Sequence, residues 1–149
     1  MTILLSILIP SIPEKLTYLA RTISELERQS YQLPVEILAT IDNKKRSTGF
    51  KRNMLIQQAQ GKYVSFVDDD DRIELDYIET LINTINQNPS ADCITFNVEI
   101  NSSGIEKKIT KFDMNFLHSE DDEYYYRKPN HIMCYSKDIV IKEPFQDLT

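Results

Sequence analysis

From Ile3 to Ile9 the chain offers almost nothing but aliphatic side chains, and Pro10 and Pro13 then stop the run. A strand with one face in water alternates apolar and polar residues, whereas a run apolar at nearly every position has both faces covered, as in a parallel sheet flanked by helices. The run is far shorter than the roughly 20 residues that a membrane-crossing helix needs. No Lys or Arg precedes it and no small-residue cleavage site follows it, so it does not read as a signal peptide. It reads as a buried first strand.

The later periodic segments repeat the alternation that such a sheet demands. Leu16, Leu19, Ile23 and Leu26 recur at helical spacing up to about Ser30, and Val35 to Ile41 is a second apolar strand closed by Asp42 and Asn43. A basic loop, Lys44 to Thr48, leads to a helix from about Phe50 to Ala59, a turn at Gly61 and a third strand, Tyr63 to Val67. Ile78, Leu81, Ile82 and Ile85 mark another amphipathic helix, with Asp71 and Glu74 expected in its amino-terminal turn and Pro89 beyond its end. Ile94, Phe96, Val98 and Ile100 alternate as one strand, which a hairpin loop at Asn101 to Gly104 joins to a polar strand through Ile109 and Phe112, so the sheet is expected to become mixed there. Asp113 to Asn130 shows no clear period, and His131 to Tyr135 is a short strand. The expected architecture is an α/β/α sandwich, Rossmann-like, around a mixed, mainly parallel sheet. At 149 residues it is expected to form one domain, 1–149.

Ligands of open α/β sheets bind beyond the carboxyl ends of the strands. Three loops lie there: Pro10 to Glu14, Asp42 to Thr48, and Asp68 to Arg72. The third opens with four consecutive aspartates, whose mutual repulsion raises their pKa values unless a cation offsets it. Oxygen-only ligands suit Mg²⁺ or Mn²⁺, ions that also bind substrate phosphates. The same acids also serve as solvated residues at a strand end that cap the next helix. A calcium loop starting at Asp68 fails, because Ile73 stands where the turn needs Gly and Arg72 replaces a ligand. An Asp-x-Asp phosphotransferase would want its nucleophile on the first strand, and this run follows the third. With Gly49, Gly61 and Gly104 as the only glycines, neither the Walker A nor the dinucleotide pattern can be written.

The ordered series Ser6-Ile-Leu-Ile-Pro10, Val35 to Asp42, Lys51-Arg-Asn53, Ala59 to Val67 and Asp68 to Asp71 resembles family 2 glycosyltransferases of the GT-A fold, from the first strand to about Phe96. The resemblance implies a nucleotide-sugar donor, commonly a UDP-sugar, held across the strand ends with Mg²⁺ or Mn²⁺ for inverting transfer. It puts Pro10 and Ser11 beside the base, and Asp42 as acceptor for the base's imide N–H. Lys51 would approach the diphosphate. Asp68 and Asp69 would contact ribose or complete the acidic motif, and Asp70, with Asp68 as the second candidate, would hold the metal. The family's general base lies after the strand that His131 to Tyr135 resembles. The chain reaches Thr149 about where it would begin, so no catalytic residue is assigned and the domain is expected to be cut short at its carboxyl end.

Two lone features stay open. His131 either completes a metal shell or is a hydrogen-bonded structural histidine, and Tyr124, Tyr125 and Tyr126 either stack on an acceptor sugar or form an aromatic strand edge. Glu120 to Glu123 reads as a solvated acidic loop.

The net charge of -6 opposes extended contact with nucleic-acid phosphates. Cys93 and Cys134 make neither a disulfide framework nor a zinc knuckle and are expected to be free thiols in a reducing, cytoplasmic setting. The acceptor is expected to be a glycan or lipid-linked. The competing functions are a non-catalytic module that binds nucleotide-sugar or docks a partner, and an Asp-dependent phosphatase.

Overall fold

A computed structural model describes residues 1–102 and 106–146. The aliphatic run forms β1 (Leu5–Ser11), which lies inside a five-stranded sheet between β2 (Val35–Ile41) and β3 (Tyr63–Phe66), parallel to both. The strand side chains sort by parity, as the pleat requires. Leu5, Ile7 and Ile9 of β1 pack with Tyr63 against α1 (Leu16–Gln29) and α3 (Tyr77–Gln87), while Leu8, Val64 and Phe66 pack against Leu55, Ile56 and Ala59 of the α2 segment (Thr48–Gln58 and its C-cap). A core thus lies on each face of the sheet, which is the α/β/α arrangement expected. Each fully buried Leu or Ile is worth roughly 1.5–3 kcal/mol of removed apolar surface.

Local signals set the helix ends. A 3-10 turn at Pro13–Lys15 leads into α1, and Ser47 caps α2 by accepting the Phe50 N–H at 3.0 Å. Asp71 and Glu74 do not occupy the first turn of α3. Asp76 is its N-cap, the Tyr77 N–H donates to the Glu74 carbonyl at 3.1 Å, and Glu79 is the acid of that turn. Gly61 fits where nothing larger would: a Cβ there would stand 2.7 Å from the Ser6 backbone nitrogen. Its own N–H donates to Ser6 Oγ at 2.9 Å, and that hydroxyl donates to Glu36 at 2.6 Å.

Beyond α3 the structure departs from the expected course. The alternation Ile94 to Ile100 is not one strand. β4 (Cys93–Ile94) belongs to the five-stranded sheet, and β5 (Val98–Ser102) opens a second sheet with β6 (Glu106–Phe112), β7 (Ser119–Glu120) and β8 (Tyr124–Arg127) in the order β5-β6-β8-β7. The hairpin is therefore real, with β5 and β6 antiparallel, but it does not extend the first sheet. Residues 103–105 of its expected loop lie outside the described residues, as do 147–149, where the chain's end was read.

The first sheet becomes mixed through β9 (Cys134–Ser136), which runs antiparallel between β3 and β4 to give the order β2-β1-β3-β9-β4. The tyrosines of β8 occupy an inner strand of the second sheet and not an edge. The acidic stretch before them is exposed to solvent, as expected, and also hydrogen-bonded: Asp121 accepts the N–H groups of Glu123 and Tyr124 and the Tyr126 hydroxyl, and Glu120 meets Lys108 at 2.7 Å. Cys93 and Cys134 are free thiols, and burial pushes Cys134 up to about 12.

Candidate nucleotide-sugar site

The carboxyl ends of β1, β2 and β3 deliver the expected residues to one end of the first sheet. Parallel pairing sets Ser11 beside Ile41, with Asp42 following, while Asp68 to Asp71 follow β3 on the other side of β1. Their side chains fan out to different partners. Asp69 turns inward, where its Oδ2 accepts the Ser11 hydroxyl at 2.7 Å and its carbonyl accepts Thr22 Oγ1 at 2.9 Å. Asp70 turns outward to Lys15 Nζ at 3.3 Å, and Asp68 faces His131, whose Nε2 is 3.4 Å from its Oδ1.

On the β2 side, Asp42 and Lys51 meet each other. The ammonium of Lys51 lies 2.9 Å from Asp42 Oδ1, and the lysine is only 6% exposed although it sits on a helix. Asp42 also accepts the Arg46 N–H at 3.1 Å and the Lys44 N–H at 3.4 Å, the latter from a residue held at φ 67°. The Lys51 bond leads the effects that hold the Asp42 carboxyl below its ordinary value. Lys51 thus reaches the site, but its charge is matched by the carboxylate expected to read the base.

The acid run has uneven electrostatics. His131, then Arg52, hold Asp68 below the usual carboxylate range against its partial burial. Asp71 goes the other way, pushed up to about 6 by desolvation first and then by Asp68 and Asp70. Among the described residues no three His, Cys, Asp or Glu side chains form a ready-made metal cage. Mg²⁺ and Mn²⁺ do not need one when a substrate supplies phosphate oxygens, since one or two carboxylates suffice. In this structure Asp68 and Asp70 are not drawn together, each facing its own partner, His131 and Lys15.

Three residues at this end went unassigned in the sequence. Arg52 lies over the rings of Phe145 at 5.2 Å and Phe66 at 6.0 Å, its guanidinium lowered by burial and partly restored by Asp68. Asn53 donates to the Phe145 carbonyl at 2.8 Å and accepts the Phe145 N–H at 2.9 Å, clasping the segment after α4 (Lys137–Val140) to α2. Gly49 permits that approach, for a Cβ there would fall 2.0 Å from the Gln146 carbonyl oxygen. Arg52 and Asn53 stand in the tripeptide Lys51-Arg-Asn53, so the signal was present without a partner to interpret it.

The model of glycosyl transferase family 2 matches residues 45–148, more than half of the chain, including Lys51 and the acid run. The chain is also similar in structure to S. aureus TarS, at 13% identity and a TM-score of 0.51 over 92% of this chain and 29% of that one. TarS 1-349 gives 15% identity and 0.51 over 92% and 48%, and TarS 1-349 in complex with UDP gives 13% and 0.51 over the same shares. The chain spans less than half the length of these structures. At such identities the likeness is one of fold, the GT-A-like α/β/α arrangement. No curated protein matches it.

Proposed function

Because the chain belongs to glycosyl transferase family 2, we propose that it binds a nucleoside-diphosphate sugar, a UDP-sugar in the first instance, for inverting transfer to a glycan or lipid-linked acceptor. The observation that carries this reading is the convergence of Ser11, Asp42, Lys51 and the Asp68–Asp71 run at the carboxyl ends of three parallel strands. The UDP bound to a chain of similar fold supports the choice of nucleotide.

Pro10 and Ser11 flank the base in this reading, and Asp42 accepts its imide N–H. Lys51 keeps Asp42 ionised until the donor arrives and lies within reach of the diphosphate. Asp70 and Asp68 hold Mn²⁺ or Mg²⁺, and Asp69, locked to Ser11, fixes the loop that presents them. When bound, the ion neutralises charge on the leaving diphosphate as a Lewis acid. No general base is assigned to a described residue. Among the described residues no helix is long and apolar enough to cross a membrane; the reaction is proposed to take place on the cytoplasmic side.

Thermal denaturation with UDP and Mn²⁺ tests the reading. A ligand at a hundred times its dissociation constant stabilises by about 2.7 kcal/mol. The melting temperature should rise with UDP and Mn²⁺ together, and Asp70→Ala should remove the metal-dependent part while the apo melt stays cooperative. No shift with any nucleoside diphosphate defeats the proposal. Binding without donor hydrolysis would favour a non-catalytic module, and phosphomonoester hydrolysis without a nucleotide response would favour the phosphatase reading.

A further inference from the structure

Between the inner face of the second sheet and the loop before β9 lies a cavity of about 530 Å³, a volume suited to a small saccharide. Apolar side chains of β5 and β6, Phe112 among them, line part of it. Around them stand four basic residues, His118, Arg127, Lys128 and His131, against one carboxylate, Asp68. That balance inverts the chain's own, in which 23 acids outnumber the 17 Lys and Arg and 2 His together. The single acid is already faced by His131 at 3.4 Å. Arg127 is fixed by donating from Nη1 to the carbonyls of Ser119 and Tyr126, each at 2.8 Å, which orders the guanidinium without neutralising it. The nearby Glu120 is matched first to Lys108 and feels Arg127 only as a weaker, secondary partner.

We propose that this cavity binds a saccharide bearing a phosphate group, and that this is the acceptor side of the site. The acceptor role rests on the glycosyltransferase reading above; the binding does not. The cations Arg127 of β8 and Lys128 just after it, with the imidazoles of His118 and His131 as further polar groups, suit an anion with three terminal oxygens, and Arg in particular favours phosphate geometry. Asp68 belongs both to this cavity and to the acid run, so a sugar seated here lies next to the donor's phosphates. A free phosphosugar and a lipid-linked one share this chemistry.

Nitrogen-edited NMR of the His118 and His131 imidazoles, with glucose 1-phosphate, glucuronate and glucose as probes, tests the assignment. Glucose 1-phosphate should shift both histidines and weaken as NaCl rises, glucuronate should bind at least about threefold more weakly, and glucose should do nothing. Lys128→Gln should lower the phosphosugar affinity about tenfold, the loss of one charge-assisted contact, and leave the UDP response unchanged. An octyl phosphodiester of glucose that binds tighter than glucose 1-phosphate marks the lipid-linked source, and equal binding marks the free one. Equal response to glucose and glucose 1-phosphate, parity of glucuronate with phosphate, or displacement of the probe by saturating UDP with Mn²⁺ would each overturn the proposal. A phosphosugar response in a protein deaf to UDP would leave this inference standing and sink the donor reading instead.

Discussion

Ser11→Ala removes one hydroxyl from the place where two neighbouring strands end. Ser11 is 2% exposed and Asp69 9% exposed, and the 2.7 Å bond between them ties the end of β1 to the acid run after β3. A hydrogen bond to a charged group contributes about 1.5–3 kcal/mol, and losing its donor leaves the carboxylate where water enters poorly. Thr22 still holds the Asp69 carbonyl at 2.9 Å, so the loop keeps one tie and the loss should fall near the middle of that range, about 2 kcal/mol. For a chain of this size each kcal/mol moves the melting temperature by roughly 2–4 °C, so the fall should be about 4–8 °C. Urea denaturation followed by circular dichroism measures it. A cycle with Asp69→Ala should return a coupling energy of about 1.5–2 kcal/mol, because the second substitution removes what the first leaves stranded. A loss below about 0.5 kcal/mol, or additive single substitutions, would refute the view that this bond holds the acid run in place.

Asn53→Ala removes both hydrogen bonds to Phe145 and should cost about 2 kcal/mol at roughly 1 kcal/mol each. Hydrogen exchange should show the Phe145 amide deprotected while β1 and β3 amides keep their protection; unchanged protection at Phe145 would dismiss the clasp. The Asp71 carboxyl, raised in the folded chain to about 6, stabilises the fold fully below its ordinary value near 4, and that contribution is lost as the pH rises through about 6. In metal-free buffer Asp71→Asn should therefore be more stable than the parent at pH 7, with the gap closing towards pH 4. A gap that ignores pH would show that neither desolvation nor the neighbouring carboxylates raise the Asp71 carboxyl.

Where a segment's structure depends on its own pattern, it was legible in the sequence: the bounds Val35 to Ile41 and the helix ending near Ser30 follow from apolar spacing alone. The run Ile94 to Ile100 misled because its alternation continues unbroken while the chain leaves one sheet for another, a change decided by partners far away in sequence. For Tyr124 to Tyr126 the choice between a strand and a sugar-stacking patch stayed open because both faces of β8 carry rings and cations. Lys111 lies 3.7 Å over the Tyr124 ring and Lys108 lies 4.0 Å over the next one, Tyr125, so no apolar side distinguishes itself. In the site, the strand-end loops were legible from topology. The pairings of Ser11 with Asp69, Lys51 with Asp42 and His131 with Asp68 were not, since each joins side chains whose directions are set by packing.

The insertion of β9 between β3 and β4 has a consequence for biosynthesis. As the chain leaves the ribosome, β4 emerges with no strand beside it, and β3 keeps one margin bare until Cys134 to Ser136 arrive after the whole second sheet has been made. The Tyr63 amide is already satisfied by the Leu4 carbonyl, but Val64 then offers unpaired backbone groups to any neighbouring nascent chain, the circumstance in which holding chaperones act. Translation stalled before Cys134 would yield a sticky intermediate, and completing those few codons would seal it.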